Sequence, residues 1–247
     1  MQSGKQQAEP PVSGLLRGDG NQMDSAEQPN VASQRVVEYL AERILTGQLP
    51  PGTRIKQDEL AAELNMSRIP VRDALRVLET RGLVTLKANS GARVSSLTAR
   101  DIDISYRIRE QLEPMLLANS MPNLTDADFA EMEDINQRMA EVTDADAFLP
   151  LNRQFHFTAF RGHRAPQLAQ IVERIWDTTE SYRRTYAQLA LQDAERSEVM
   201  QSERSLLLGS IRRRELELAP KILAMHIARA HMGLLKYGGF SDADYDE

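Results

Sequence analysis

Arg68, Arg72 and Arg76 follow one another at steps of four in SRIPVRDALRVLETRGLV, residues 67–84. At about 3.6 residues per turn, this spacing lays three guanidinium groups along one stripe of a helix. Val71, Ala74, Leu75 and Leu78 form a second stripe roughly 120° away, with the i, i+3, i+4, i+7 spacing of a packed face. No acidic residue is spaced to neutralise all three arginines. A helix anchored on one side and offering a cationic row on another needs an anionic partner.

The elements that must hold this helix lie on either side of it. Helix one is expected over about Val31–Thr46, with Val36, Tyr39, Leu40, Ile44 and Leu45 inward and Gly47 as its stop. Pro51-Gly52 marks LPPGTRI (49–55) as a turn. Helix two is expected over about Gln57–Leu64, followed by a short turn, Asn65-Met66-Ser67. Ser67 is the expected N-cap of helix three, Pro70 is tolerated in its first turn, and Gly82 stops it. Residues 83–87 and 92–96 read as strands joined by Asn89-Ser90-Gly91. Helix, helix, short turn, helix and hairpin make a winged helix-turn-helix, whose second turn helix enters the major groove of DNA. The arginine row then faces the duplex. Arg68 and Arg72, in its first turns, meet bases, and Lys87 and Arg93 flank the hairpin turn close to the DNA backbone or minor groove.

The whole chain sets limits on this reading. At 247 residues it is long enough for two domains. No apolar run approaches the ~18 residues of a membrane span, and no basic-then-apolar signal pattern opens the chain. The absence of cysteine excludes disulfides, thiolate metal sites and cysteine nucleophiles. A cytoplasmic protein is expected. Residues 32–97 carry 10 Lys/Arg against 7 Asp/Glu, whereas residues 98–247 carry 18 against 25. A basic segment beside an acidic one fits a nucleic-acid reader joined to something else.

Residues 1–30, rich in Gln, Gly, Ser, Pro and Asn, read as a disordered tail. The winged helix-turn-helix is expected over 31–97, and an all-α antiparallel bundle over 98–237. Its six helices are expected at about Ala99–Met121, Asp126–Val142, Asp144–Arg161, Ala165–Ala187, Asp193–Arg213 and Glu217–Tyr237. Ile104, Ile108, Leu112, Met115 and Leu116 keep helical spacing in the first. An acidic tail, 238–247, follows. Trp176, with Ile171 and Ile175, reads as core, and Arg212-Arg213-Arg214 as a solvated helix end favoured by the helix dipole. His163 and His231 have no partner spacing.

The stretch GQLPPGTRIKQDELAAELNMSRIPVRDALRVLETRGLV, with NSGARV after it, resembles the DNA-binding domain of the GntR family of bacterial regulators. The residues that carry the likeness include Pro51-Gly52, Leu60-Ala61, Ser67-Arg68, Pro70-Val71-Arg72, Ala74-Leu75, Leu78, Gly82-Leu83-Val84 and Gly91. It implies a dimeric, ligand-controlled transcription factor, with Ser67, Arg68, Pro70, Arg72, Arg76, Lys87, Asn89, Gly91 and Arg93 at the DNA. Asp58 departs from members that place a DNA-contacting arginine there, so weaker contacts from helix two are expected.

RIREQLEP (107–114), NRQFHFTAF (152–160), LAQIVERIW (168–176) and AMHIARA (224–230) resemble the FCD-type ligand domain of the FadR branch of that family. Many such domains hold a divalent metal through Asp-x-x-x-His on one helix and two further histidines 22 residues apart. Here Asn152 and His156 take the first pair of positions and His226 the last, but Arg204 stands where the third ligand belongs. Residues 204 and 226 are equidistant from Glu215, so an antiparallel helix pair would set them face to face, each roughly 16 Å from the turn. A guanidinium does not ligate metal but grips a carboxylate or phosphate. Two readings follow. Asn152, His156 and His226 hold zinc or nickel with an incomplete set while Arg204 binds the anion, or the metal is lost and Arg204 replaces its charge. The bland alternative makes both histidines satisfied core residues. Arg109 lies where members often place a pocket arginine.

The function expected is a ligand-responsive regulator, a repressor, that binds a pseudo-palindromic operator as a homodimer and senses a small anionic metabolite. The alternatives are a metal-dependent enzyme on the helical domain and a constitutive DNA-binding protein without an effector.

Overall fold

A computed structural model describes residues 31–87 and 91–237 of the chain. The expectations for both tails and for Asn89 lie outside the described residues.

The first six elements are α1 (Val31–Leu45), β1 (Arg54–Ile55), α2 (Gln57–Glu63), α3 (Arg68–Thr80), β2 (Val84–Lys87) and β3 (Gly91–Val94). Val71, Ala74, Leu75 and Leu78 are fully buried against Val36, Leu40 and Ile44 of α1 and Leu60 and Ala61 of α2. That burial fixes which way α3 can face. The strands form an antiparallel sheet in the order β1-β3-β2, with Arg93 opposite Arg54 on one side and Thr85 on the other. β1 corrects the expectation of a plain turn over 49–55. Two residues are too few for an alternating pattern, and the strand exists only because β3 pairs with it. Ser67 stands at the N-cap of α3 in extended conformation, but its side chain accepts no capping hydrogen bond. Gly82 ends α3's turn at φ +76, the left-handed region that glycine enters freely.

Six helices follow: α4 (Ala99–Ser120), α5 (Asp126–Glu141), α6 (Ala145–Phe160), α7 (Pro166–Gln192), α8 (Ala194–Arg212) and α9 (Ala219–Tyr237). Thr98 with Asp101 and Thr125 with Asp128 build reciprocal capping boxes at the starts of α4 and α5. α7 runs past the expected end at Ala187, because Asp193 both closes it and caps α8 by accepting from the Arg196 N–H at 3.2 Å. Arg214, in left-handed conformation, donates to the carbonyls of Met121 and Leu124 rather than standing as a purely solvated charge. The bundle core gathers Ile102, Tyr106, Leu116, Phe155, Trp176 and Leu207. The regular apolar row on α4 is helical, but Ile104, Ile108 and Met115 point outward, and the inward stripe is Ile102, Tyr106, Arg109, Glu113 and Leu116. Two charged residues on the inward stripe hide it from a hydrophobic pattern. Among the described residues, no helix is long and apolar enough to cross a membrane.

Candidate nucleic-acid interface and ligand cluster

The packed stripe of α3 leaves Arg68, Arg72 and Arg76 exposed on its other side, with Ser67 exposed just before them. Pro70 is partly covered within the first turn. Lys87, Gly91 and Arg93 are exposed on the wing, together with Arg54 of β1. The three arginines of the row are not equivalent. Asp58 of α2 pairs with Arg68 at 2.7 Å, so the departure at position 58 engages a guanidinium of the next helix besides withholding one of its own. Arg72 is only 4.0 Å from Asp73. Arg93 donates to the Gly52 carbonyl at 3.0 Å, which ties the wing to the turn before β1.

This arrangement separates two kinds of contact. On the winged-helix expectation, side chains early in α3 would meet base edges, whereas Lys87 and Arg93 of the wing would meet phosphates, which position a protein but carry no sequence information. Replacing Lys87 and Arg93 together with alanine is expected to weaken binding to all duplexes alike. For every phosphate that is no longer neutralised, the slope of log K against log salt flattens by about 0.9. Titrations at several salt concentrations check this, and an unchanged slope would remove the wing from the interface.

In the bundle, His156 is 2% exposed and packs against Trp176, with ring centroids 5.0 Å apart, and against His226 at 5.7 Å and 25° between planes. Around it lie three buried arginines. Arg109 donates to Glu113 at 2.5 Å and lies over the rings of Tyr106 and Trp176. Arg183 pairs with Glu180, donates to the Trp176 carbonyl at 2.8 Å and covers the indole. Arg204 is 3% exposed, donates to the Gln201 side chain at 2.5 Å and sits by the Phe148 ring. Its Nε and Nη1 are buried without a partner among the described residues. Burial pushes its pKa down to about 10, against the raising influence of Glu203, so it remains a cation at neutral pH. Burial, then His226 and the three arginines, hold His156 well below the usual histidine value and therefore neutral.

The partner of His226 corrects the expected face-to-face register. Glu203, not Arg204, meets its Nδ1, at 2.9 Å, and also pairs with Arg229. One residue is about 100° of helix rotation, so a turn read one position off changes which side chain faces across. Burial opposes ionisation of Glu203, but His226 and Arg229 outweigh it and keep its pKa below the usual carboxylate value. Asn152, His226, Arg183, Glu203 and Arg229 line a cleft whose remaining walls include Tyr106, Phe148 and Tyr186. His156, Arg109 and Arg204 are not part of that lining.

Sequence reasoning missed Glu113, Arg183 and Glu203. The Arg109–Glu113 spacing of four was a usable signal, but the other two depend on tertiary packing. His231, which showed no partner spacing, stacks on Tyr106 and meets Glu110 at 3.0 Å. His163 accepts from the Ala165 N–H. Trp176 is 1% exposed and is core, yet its N–H donates to Glu113 beside the cluster.

The cluster does not suit a divalent metal. Among the described residues no three His, Asp or Glu side chains converge as a ligand set. Asn152 is a weak ligand, and the Arg204 charge would repel the ion.

A winged helix-turn-helix joined to an all-helical domain with a charged internal cluster defines a two-domain DNA-binding architecture. Residues 32–94 match the gntR family of bacterial regulatory proteins and residues 103–229 the FCD domain. The chain belongs to the GntR family, in its FCD-containing branch, which is a family of transcriptional regulators and not of enzymes. It is 29% identical over 145 residues to the HTH-type regulator McbR of Escherichia coli, covering 58% of this chain and 66% of that one. It is 29% identical over 201 residues to a probable D-xylose utilization operon repressor of Paenarthrobacter nicotinovorans, covering 80% and 86%. The matches span 52–66% of the lengths of the first three curated relatives. The solved structure of E. coli McbR/YncC superposes with a TM-score of 0.71 at 24% identity, over 84% of this chain and 98% of that one, which is a likeness of fold.

Proposed function

We propose that this protein is a cytoplasmic, ligand-responsive repressor that binds a pseudo-palindromic operator as a homodimer and senses a small anionic metabolite in its helical domain. The DNA-binding half of this reading is supported by the arginine row of α3, exposed by the burial of its opposite stripe. Repression is supported by the name of the Paenarthrobacter relative. The sensing half is carried by one observation, the charge left over in the bundle. Arg109 is paired with Glu113, Arg183 with Glu180, and Arg229 with Glu203. Among the described residues, none forms an ion pair with Arg204, which keeps two unpartnered buried donors.

An anionic group that reaches Arg204 would satisfy those donors and neutralise the charge, while the cleft with Asn152 and His226 would receive the rest of the molecule. Binding of this kind shifts the protein toward whichever arrangement of its two domains holds the anion better. Any change in operator affinity follows from that difference.

The test pairs wild type with Arg204→Met, which keeps the length and loses the charge. A panel of small carboxylic acids and sugar phosphates is screened by thermal shift, and duplexes selected by the wild type from a random pool report DNA binding. Wild type should melt higher with at least one anion. Arg204→Met should lose that shift, keep its DNA affinity, and melt about 2–4 °C higher than wild type without ligand for each kcal/mol of relieved burial cost. An anion-dependent shift that survives in Arg204→Met would overturn the assignment of the site.

A further inference from the structure

The recognition helix is not attached to the bundle through the chain alone. Asp177 of α7, with its side chain 1% exposed, lies under the end of α3. Arg81, the residue that closes α3, donates to Asp177 Oδ2 from Nε at 3.0 Å and from Nη2 at 2.7 Å. Arg153 of α6 pairs with the other oxygen, Oδ1, at 3.0 Å. Arg153 follows Asn152, which lines the cleft. One turn before Asp177, Arg174 donates to the Thr80 carbonyl at 2.9 Å. One residue after it, Thr178 packs so closely on Gly82 that a Cβ there would come within 2.6 Å of its methyl group. The adjoining residue on the other side, Trp176, turns about 100° away around the helix and packs against His156 and Glu113.

We propose that Asp177 is the positioning residue for the DNA-reading helix, its one buried carboxylate clamping the end of α3 through Arg81 and the cleft-lining helix α6 through Arg153. Oδ2 accepts both Arg81 hydrogen bonds along the directions in which it points, while Arg153 holds Oδ1 by charge alone, with no hydrogen bond among the described residues. The clamp therefore fixes the attitude of α3 on the bundle rather than merely its proximity. Such a fixed attitude matters when two recognition helices must meet two half-sites at once, because simultaneous engagement depends on geometry and not only on each contact. It matters little for a single half-site, which a loosely held helix can still approach. The proposal rests on the reading of α3 as the DNA-contacting element but needs no effector.

The test uses the full chain with Asp177→Asn and, because that site is buried, also Arg81→Gln, whose side chain is 34% exposed. Hydrogen exchange is followed over residues 76–83, and affinity is measured for duplexes with one or two half-sites of a wild-type-selected sequence. Both variants should exchange faster over 76–83 but not over α9. Both should lose about tenfold or more on the two-half-site duplex, with little loss on the single half-site. The double variant should lose no more than either alone, since both break one clamp. Wild-type exchange and affinity in both variants would overturn the proposal, and so would equal losses on the two duplexes, which mark a general loss of fold. Should the wild type select no duplex at all, the DNA-binding reading fails, and exchange alone decides: faster over 76–83 upholds the clamp, unchanged overturns it.

Discussion

Arg72→Ala is expected to remove about 1–3 kcal/mol of base discrimination from each half-site, which is the worth of one arginine held bidentate to guanine. In a dimer the loss falls on both half-sites. Of the three arginines in the row, Arg72 is the one for which this expectation is cleanest. Arg68 is held by Asp58, so its removal also releases a carboxylate and mixes two effects. Arg76 lies a further turn from the helix N-terminus, where base contacts concentrate. Arg72 is exposed and has only a 4.0 Å approach to Asp73, so the alanine variant loses no packing and should keep its circular dichroism and melting temperature. The measurement is the ratio of affinities for a selected duplex and for a scrambled one. A variant that discriminates as well as wild type would place base reading elsewhere.

The second large effect concerns the bundle. Asn152→Asp with Arg204→His should create a divalent-metal site together with His156 and His226. The double change removes the repelling cation and supplies two ligands of the right kind. The two native imidazoles are already neighbours, 5.7 Å between centroids, a separation that two ligands at about 2.0–2.1 Å from one zinc can span. Arg109 and Arg183 stay neutralised by Glu113 and Glu180. Calorimetry with zinc or nickel should give a Kd of about 1 μM or tighter, a standard free energy near −8 kcal/mol, where wild type gives none. Equal heats for the two proteins would mean that positions 152, 156, 204 and 226 do not converge.

What the sequence made legible follows from the range of each interaction. Helix α3 was readable in both its faces because Val71, Ala74, Leu75 and Leu78 report burial at helical spacing, and the arginines report exposure at the same spacing. The six bundle helices were readable for the same reason, and Asp193, which ends one helix and begins the next, shows why the end of α7 was placed too early. β1 was not readable, since its two residues become a strand only in the presence of β3. The inward face of α4 was misleading because Arg109 and Glu113 neutralise each other there, leaving the apolar residues of the exposed face as the more regular pattern. Glu203 replaced Arg204 opposite His226 because a helix hairpin's register is set by its turn, and Arg214's left-handed conformation lies inside that turn. Asp177 gave no signal at all, as its partners are 96 and 24 positions away.

The unmet donors of Arg204 also bear on how long the protein survives. A buried polar group without a partner costs about 1–3 kcal/mol, and more when it is charged. That is a substantial part of the stability of an ordinary domain. Without a bound anion the bundle therefore opens more often than one with an apolar side chain at position 204, and each opening exposes the chain to proteases. An anion that satisfies Arg204 suppresses those openings by mass action. If the proposed anion sensing holds, the quantity of regulator in a cell would rise with that metabolite, so that supply of the regulator, and not only its affinity for DNA, would follow the signal.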